Sequence, residues 1–384
     1  MPHLHKVPFA LRGVMAGCIT MGMAATASGV EIESGDIVKT MPKPDPHHVW
    51  VYDPDFPNLT TTQAFVVDGD KGEVLGMVDA GYQANLAFSD KEAKFWIAET
   101  YYSRITRGER SDMVTVYDHE TLAPQEEIPL PEGRFLVVSK RPNFAVTDSD
   151  RYLLSFNSTP ATTVSVIDPN NSKYMGEISV PGCSHVYPSG ESRFAMLCPD
   201  GSLASVSFDD TLKADIQRTQ PFFDPETDPV FEHAAADREA DKVFFVSYSG
   251  NVYEADLSSD LPGIANTWSL ESDSQGWRPG GWIPLAYNPA HEELYFLMHE
   301  GGEWTHKDAG NQVWVFDANT GERNRVIELD ADYSAVAVSQ DRDTQLYTLS
   351  GEGTLAVYDA QSGELQHTIG ELGMTPLVLY TPNR

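Results

Sequence analysis

The feature that most constrains the fold is a short pattern that recurs along most of the chain. In residues 311–329 an alternating apolar run ends at Asp317, and a turn with Gly321 and Glu322 leads into a second β-prone run. Two such runs joined by a glycine-bearing turn are typical of a β-hairpin. The pattern therefore predicts a β protein built from repeated copies of one unit.

Further copies of this pattern occur on both sides of residues 311–329. The Asp-Gly-Glu spacing is repeated, or the aspartate alone follows an alternating run, at Asp359/Gly363/Glu364, Asp68/Gly72/Glu73, Asp118, Asp168, Asp209 and Asp256. The seven anchors are spaced by roughly 40 to 60 residues, near the period of a four-stranded propeller blade.

The last unit predicts all four strands of one blade. They are Ser334–Val338, Gln345–Leu349, Thr354–Tyr358 and Leu365–Ile369, separated by polar or glycine-bearing turns. A blade buries both of its faces only against neighbouring blades, so seven units most simply close into a ring. We expect an all-β, seven-bladed β-propeller of four-stranded antiparallel blades. The alternative is a pair of β-sandwiches whose turns coincide by chance.

The two ends of the chain are expected to close the ring. Val49–Asp53 is the first predicted strand, and Thr375–Thr381 is the candidate strand that pairs with it. We therefore assign 47–384 to the propeller and 28–46, which is polar and rich in proline, to a flexible arm.

The first residues resemble an export signal. Positive charges at Lys6 and Arg12 precede a short apolar stretch and an A-x-A cleavage site at 25–27. We expect 1–27 to be a cleavable signal peptide and the protein to be periplasmic. A lipoprotein signal ending at Cys18 is the alternative.

Removal of this signal leaves two cysteines, Cys183 and Cys198. An even number of cysteines in an exported chain suggests a disulfide, and a predicted hairpin would bring these two together. Free thiols or a metal site remain as alternatives. The adjacent residues His47 and His48 are a poor metal pair, because neighbours on a strand point to opposite faces.

The chain is strongly acidic, with a formal net charge of −31 at pH 7. This charge repels nucleic acid and anionic lipid, so we expect neither a nucleic-acid nor a membrane partner. It either attracts a cationic substrate or partner, or keeps the protein soluble in salt.

Two stretches go beyond what blades require. One contains Arg104, Arg107 and Arg110, and is either a solvated, salt-bridged loop or an interaction loop. The other, 276–317, is rich in aromatic residues, histidines and basic residues. It is either a long loop on one face of the propeller or a segment whose aromatic residues pack within the blades.

The chain lacks the common sequence motifs of enzymes that carry their own catalytic residues or cofactor-binding site. It has no dinucleotide-binding or P-loop glycine motif, no zinc-protease helix motif, no haem-attachment motif and no nucleophile elbow. The residues alone therefore favour a scaffold or partner-binding propeller over a one-chain enzyme.

Five segments carry a specific resemblance to a known family: Tyr101–Asp118, Phe156–Asp168, Gly182–Val206, Gly276–Trp282 and Glu303–Arg323. They resemble the heavy subunit of the quinoprotein amine dehydrogenases of the periplasm. The methylamine dehydrogenase heavy chain is the nearest match and the aromatic amine dehydrogenase large subunit the next. The resemblance covers essentially the whole chain after about Val49.

This resemblance implies a seven-bladed propeller that pairs with a small, disulfide-rich light chain carrying tryptophan tryptophylquinone (TTQ), as two heavy and two light chains. Such enzymes oxidise a primary amine to aldehyde and ammonia, and pass electrons to a small blue copper protein such as amicyanin or azurin. The resemblance implies no catalytic residue, cofactor ligand or metal ligand in this chain, because the cofactor carries the chemistry.

The resemblance also implies two roles for single residues. Tyr82, in the sequence DAGYQAN, matches an aromatic residue that shapes the substrate channel, where the family carries phenylalanine. The added hydroxyl leaves the preferred amine open. Cys183 and Cys198 match the family's heavy-chain disulfide.

Three functions therefore follow as hypotheses. The first is the heavy subunit of an amine dehydrogenase. The second is a stand-alone periplasmic propeller, either a binding module or a lactonase-like hydrolase. The third is the propeller subunit of a quinohaemoprotein amine dehydrogenase with a dihaem partner.

Overall fold

The computed structural model describes residues 40–270 and 276–382 as seven antiparallel sheets. Each sheet is one blade, and consecutive blades follow one another along the chain. This confirms the predicted all-β, seven-bladed propeller. The predicted signal peptide 1–27 and residues 28–39 of the predicted arm lie outside the described residues.

Blades 1 to 3 contain the first eleven strands and two short 3-10 helices. Blade 1 has β1 (His48–Asp53), β2 (Thr62–Asp68) and β3 (Glu73–Ala80), and blade 2 has β4 (Asn85–Phe88), β5 (Lys94–Arg104), β6 (Arg107–Asp118) and β7 (Pro124–Pro129). Blade 3 has β8 (Phe144–Val146), β9 (Leu153–Asn157), β10 (Thr163–Asp168) and β11 (Lys173–Ser179), with the 3-10 helices at Arg141–Asn143 and Asp148–Asp150.

Blades 4 to 7 contain the remaining strands, except the last one. Blade 4 has β12 (Ser184–Pro188), β13 (Arg193–Leu197), β14 (Leu203–Phe208) and β15 (Ala214–Arg218), and blade 5 has β16 (Ala235–Asp237), β17 (Lys242–Val246), β18 (Asn251–Asp256) and β19 (Gly263–Ser269). Blade 6 has β20 (Trp277–Pro279), β21 (Leu285–Asn288), β22 (Glu293–Glu300), β23 (Gly310–Asp317) and β24 (Arg323–Tyr333). Blade 7 has β25 (Ala335–Val338), β26 (Gln345–Leu349), β27 (Leu355–Asp359) and β28 (Leu365–Ile369).

The ring closes through β29 (Val378–Tyr380), which pairs with β1 and completes blade 1. Trp50 lies opposite Tyr380 in this pairing. The predicted strand Thr375–Thr381 is confirmed in part. It begins later because the backbone N–H groups of Met374 and Thr375 bind the carboxylate of Asp53, 2.6 and 3.2 Å away.

Burial along the strands follows from face-to-face packing of the blades. The middle strands are buried on both faces, as in β1 and β23, whereas outer strands such as β7 are largely exposed. A strand covered on both faces needs apolar residues at consecutive positions, which explains runs such as VWVF in β23.

The seven predicted anchor aspartates share one structural role. Each lies at or just after the end of the third strand of its blade, and its Oδ1 accepts a backbone N–H two or three residues later. Such Asx turns fix the reversal into the outer strand. The repeated aspartate is therefore a turn signal and not a set of catalytic acids.

Blade 6 departs from the predicted four strands. Both β20 and β21 pair with β22, because the inner strand is interrupted at residues 280–284. Gly281 has a φ of +94°, and a Cβ there would lie 2.4 Å from the Ser334 carbonyl oxygen. A glycine is therefore required where the chain passes blade 7.

The strand order defines two faces of the ring. In every blade the second and third strands are joined at the face from which the chain enters the next blade; we call this the upper face. Its connections include residues 81–84, 105–106, 198–202, 247–250 and 301–309. The Asx turns lie at the opposite, lower face. None of the described helices has the length and apolar character needed to cross a membrane.

Residues 40–47 run along the ring before β1 begins. The Met41 N–H binds the Glu120 carbonyl at 2.7 Å, and the Met41 side chain is buried. The ring of His47 joins this segment to blades 1 and 7, with Nδ1 2.7 Å from Asp70 and Nε2 3.2 Å from Asp341. Asp45, His47 and Asp70 bring metal-ligand atoms within 4.8 Å of one another, but both His47 nitrogens already have partners.

We expect this His47 contact to give stability that falls as the pH rises. Burial opposes the charged imidazolium, but the hydrogen bond and charge of Asp70, the charge of Asp341 and the hydrogen bond with the Asp343 carbonyl together outweigh it and raise the pKa of His47 above 6.5. A raised folded-state pKa means that the contribution is complete below 6.5 and is lost as pH rises through the folded-state value. In urea unfolding, His47→Gln should lower the free energy of unfolding by about 1 kcal/mol at most, since Asp70 is exposed.

The deficit should be largest below pH 6.5 and shrink above it. Asp70→Asn keeps an oxygen beside the His47 ring but removes the carboxylate charge. Its stability deficit should therefore depend on pH in the same way as that of His47→Gln. A deficit that is equal on both sides of 6.5 would rule out the charged contact.

Candidate functional site

Both distinctive stretches of the sequence reach the upper face. The β5–β6 hairpin places Arg104 opposite Arg107 at its tip, and Ile105 between them is 74% exposed. Arg110 binds Asp112 with 2.8 Å between Nε and Oδ2. Arg104 and Arg107 are exposed and have no ion pair with any described residue. Arg110 is therefore salt-bridged, which agrees with the salt-bridged-loop alternative. The tip instead presents the unpaired positive charges of Arg104 and Arg107.

Tyr82 lies at the base of this hairpin, in the connection from blade 1 to blade 2. Its N–H donates to the Thr100 carbonyl at 2.8 Å, which fixes the connection against β5. The half-buried Tyr82 ring meets Tyr102 edge to face, with 6.3 Å between centroids and 70° between planes. The predicted channel residue is therefore held at the upper face beside a protruding hairpin.

Gly81 permits the close approach of the Tyr82 connection to β5. A Cβ at Gly81 would lie only 2.6 Å from the Thr100 carbonyl oxygen. The Gly81 N–H donates at 2.8 Å to Glu99, whose side chain is only 1% exposed and also accepts from Tyr101 at 2.8 Å and from Thr115. Three donors compensate this carboxylate for its loss of water.

Arg134 braces the Tyr82 connection from the next inter-blade segment. Its side chain is 6% exposed, and Nη1 donates to the Tyr82 carbonyl at 3.2 Å and to Thr100 at 3.0 Å. Nη2 donates to the Gln83 carbonyl and to Asn85, the latter at 3.0 Å. Burial lowers the pKa of Arg134 to about 10, so the guanidinium remains charged at neutral pH.

The stretch 276–317 is mostly strand, and its face loop is limited to residues 301–309. Trp277 packs against Trp314 in the blade core, at 5.8 Å between centroids, whereas Trp304 is 54% exposed. His306 stacks on Tyr248 at 3.8 Å. In this stretch Trp277 and Trp314 therefore serve blade packing, whereas Trp304 belongs to a face loop.

The histidines of this second stretch have lowered pKa values. Burial is the main cause for both His299 and His306, and the charge of Lys307 adds to it for His306. His299 Nε2 lies 2.8 Å from the Thr305 hydroxyl. Neutral rings beside an exposed tryptophan give the loop 301–309 an apolar, aromatic character.

Cys183 and Cys198 form a disulfide, as predicted. They flank the β12–β13 hairpin at the upper face, and both are almost fully buried. The bond joins the segment entering blade 4 to a turn of the same blade. It excludes the free-thiol and metal alternatives for this pair.

The structure also identifies supporting residues that the sequence did not indicate. Glu99 and Arg134 are buried polar side chains whose hydrogen-bond partners lie up to 52 residues away in the chain. A buried charge is an unusual feature in a fold. No local sequence pattern distinguishes these two residues from the many exposed acidic and basic ones.

These features define a seven-bladed β-propeller with a buried disulfide. Its exposed arginine and aromatic side chains at Arg104, Arg107 and Trp304 lie at the upper face. The family model for "Methylamine dehydrogenase heavy chain (MADH)" matches residues 45–383. The chain belongs to the methylamine dehydrogenase heavy chain family.

Individual relatives agree with this assignment. The methylamine dehydrogenase heavy chain of Paracoccus versutus is 35% identical over 352 residues, which cover 90% of this chain and 82% of that protein. The one from Methylorubrum extorquens is 32% identical over 381 residues, covering 96% and 92%. The solved structure of the dihydro-heme d1 dehydrogenase NirN shares the fold alone, with a TM-score of 0.56, 15% identity and coverage of 89% and 77%.

We expect Arg134→Met to loosen the Tyr82 connection. The change leaves two backbone carbonyls and two side-chain oxygens without a donor, and should lower the free energy of unfolding by about 3 kcal/mol. Hydrogen exchange at the Tyr82 amide, which is bound to Thr100, should accelerate. Arg104→Met at the exposed tip is the control and should change neither value. Unchanged protection of the Tyr82 amide in Arg134→Met would contradict the bracing role.

Proposed function

We propose that this chain is the heavy subunit of a periplasmic amine dehydrogenase that oxidises primary amines, methylamine among them, to aldehyde and ammonia. Its partner in this proposal is a light chain carrying TTQ, assembled as two heavy and two light chains. A small blue copper protein such as amicyanin or azurin would accept the electrons. The family match across residues 45–383 is the observation that carries the proposal.

The packing of this chain's own tryptophans supports a cofactor located in the partner. Trp50 and Trp96 are fully buried, and Trp50 packs on Phe95 at 4.9 Å between centroids. Trp277 and Trp314 also pack in the core between blades 5 and 6. These side chains stabilise blade interfaces, so they fit a structural role better than a quinone precursor.

The upper face is the surface we propose for the light chain. It combines the basic tip of the β5–β6 hairpin, the exposed Trp304 and the Tyr82 connection. Aromatic and arginine side chains are enriched where protein partners meet. The exposed Ile105 adds an apolar contact at the tip.

In this assembly the quinone of the light chain would supply the redox chemistry. The heavy chain would supply a wall of the channel through which the amine reaches it. Tyr82 would narrow that wall, since its ring is held edge-on to Tyr102 and its backbone is fixed to β5. A braced side chain keeps the channel width constant, which is what discrimination among amines requires.

The first test is to purify the chain under gentle conditions from its native cells and to identify every polypeptide that accompanies it. We expect a small, cysteine-rich partner and visible absorbance that bleaches when a primary amine is added. A colourless chain that never acquires a partner would contradict the proposal. The stand-alone binding module or lactonase-like hydrolase would then be preferred.

The second test addresses Tyr82 in the assembled enzyme. Tyr82→Phe removes a hydroxyl from the proposed channel, so kcat/KM for longer alkylamines should rise relative to methylamine by up to about tenfold. Tyr102→Phe removes the neighbouring hydroxyl and serves as the matched control. An unchanged ratio for Tyr82→Phe, with full assembly, would remove Tyr82 from the channel but leave the heavy-subunit proposal intact.

A further inference from the structure

Several turns of the ring place a large apolar side chain on an unfavourable backbone conformation. Among the described residues, a φ between +48° and +66° occurs at the large apolar residues Leu59, Ile105, Leu122, Leu212 and Trp304. This left-handed region suits glycine or asparagine and disfavours large side chains, most of all a β-branched one such as isoleucine. Each of these positions therefore has a local cost that a favourable contact elsewhere must offset.

At two of these positions the favourable contact lies within the chain. Leu122 and Leu212 occupy turns at the lower face, and each side chain packs against an apolar core of the blades. The other three positions are at the upper face, where the side chains of Leu59, Ile105 and Trp304 are 37%, 74% and 54% exposed. Much of their apolar surface lies in water, so burial within this chain offsets little of their strain.

Ile105 stands at a tip with two further unfavourable features. Arg104 and Arg107 are directly opposite each other across the hairpin, and like charges in that position destabilise a strand pair. Beyond Thr100 and Asp112, no third strand of the described chain supports the hairpin, and two strands alone are only marginally stable. Strain, exposed apolar surface and charge repulsion at one tip indicate a binding role, because local folding rules are broken chiefly at functional sites.

The exposed apolar residues of the upper face lie on one side of the ring, on blades that are consecutive in the closed ring. In the described upper-face connections they are Trp304 in blade 6, Met374 between blades 7 and 1, Leu59 in blade 1 and Ile105 in blade 2. We call these four residues the apolar arc. The matching described connections of blades 3, 4 and 5 expose no large apolar side chain. Tyr82, in the connection from blade 1 to blade 2, lies between Leu59 and Ile105 in blade order, so a partner that covers the arc also reaches Tyr82.

We propose that the apolar arc is the docking surface of the light chain, an inference that rests on the proposed function. Ile105 is the anchor: it enters an apolar pocket of the light chain, and carboxylates at the rim of that pocket pair with Arg104 and Arg107. Two unpaired arginines at the tip of a protruding hairpin, on a chain with a net charge of −31, favour a partner that is acidic where it meets the tip. Burial against the light chain removes the isoleucine from water and offsets its strain, as in an interface hot spot.

Opposite effects on stability and on binding are the signature of this surface. Asparagine is polar and tolerates the left-handed conformation, so Ile105→Asn should raise the melting temperature of the full chain freed of its partner by about 1 °C. In the complete enzyme the same substitution removes the anchor, and release of the light chain should accelerate about thirtyfold. Release is measured on immobilised enzyme, as loss of the absorbance that bleaches with a primary amine.

Leu122→Asn is the matched control, because it changes another left-handed position whose side chain is packed within the chain. It should lower the melting temperature and leave the release rate unchanged. Trp304→Asn, at the other end of the arc, should accelerate release as Ile105→Asn does. Arg104→Gln should accelerate release at low ionic strength and lose this effect in high salt, because salt screens the pair with the rim carboxylates.

The outcomes separate this inference from the proposed function. An unchanged release rate in Ile105→Asn and Trp304→Asn, with the partner bound and amine-dependent bleaching intact, overturns the docking surface but leaves the heavy-subunit proposal in place. An unmodified chain that never carries a quinone-bearing partner contradicts both. If the chain freed of its partner is a dimer that Ile105→Asn separates into monomers, the arc binds a second copy and light-chain docking is refuted.

Discussion

The pairing of β1 with β29 is the contact on which the other features of the ring depend. Each blade is too thin to bury its own faces, and it becomes stable only between two neighbours. The hydrogen bonds between Trp50 and Tyr380 and their flanking residues join the last part of the chain to the first. This closure gives blade 1 its inner strand and completes the packing of Trp50 against blade 2.

The sequence predicted the blade pattern well because that pattern is local. The strands Gln345–Leu349 and Leu365–Ile369 were predicted with their observed ends, and β1 is one residue longer than predicted. Alternation and turn residues fix such hairpins within a few positions. The split inner strand of blade 6 was not predicted, because Gly281 is needed for contact with Ser334 of another blade.

The candidate site was predictable only in outline. Resemblance to a family singled out Tyr82, whereas the groups that hold it depend on tertiary contacts: Glu99 on an adjacent strand and Arg134 from a later inter-blade segment. Ionised groups become informative only when the fold shows what surrounds them.

Ring closure by a three-residue strand makes the C-terminus structurally essential. A chain that ends before Val378 would not merely be shorter. It would leave the edge of β1 unpaired, with Trp50 and Tyr52 beside it, and an open apolar edge is a template for pairing with other chains. Premature termination near the end of the gene should therefore yield an aggregating protein, and a fusion tag is better placed where it leaves that strand free to dock.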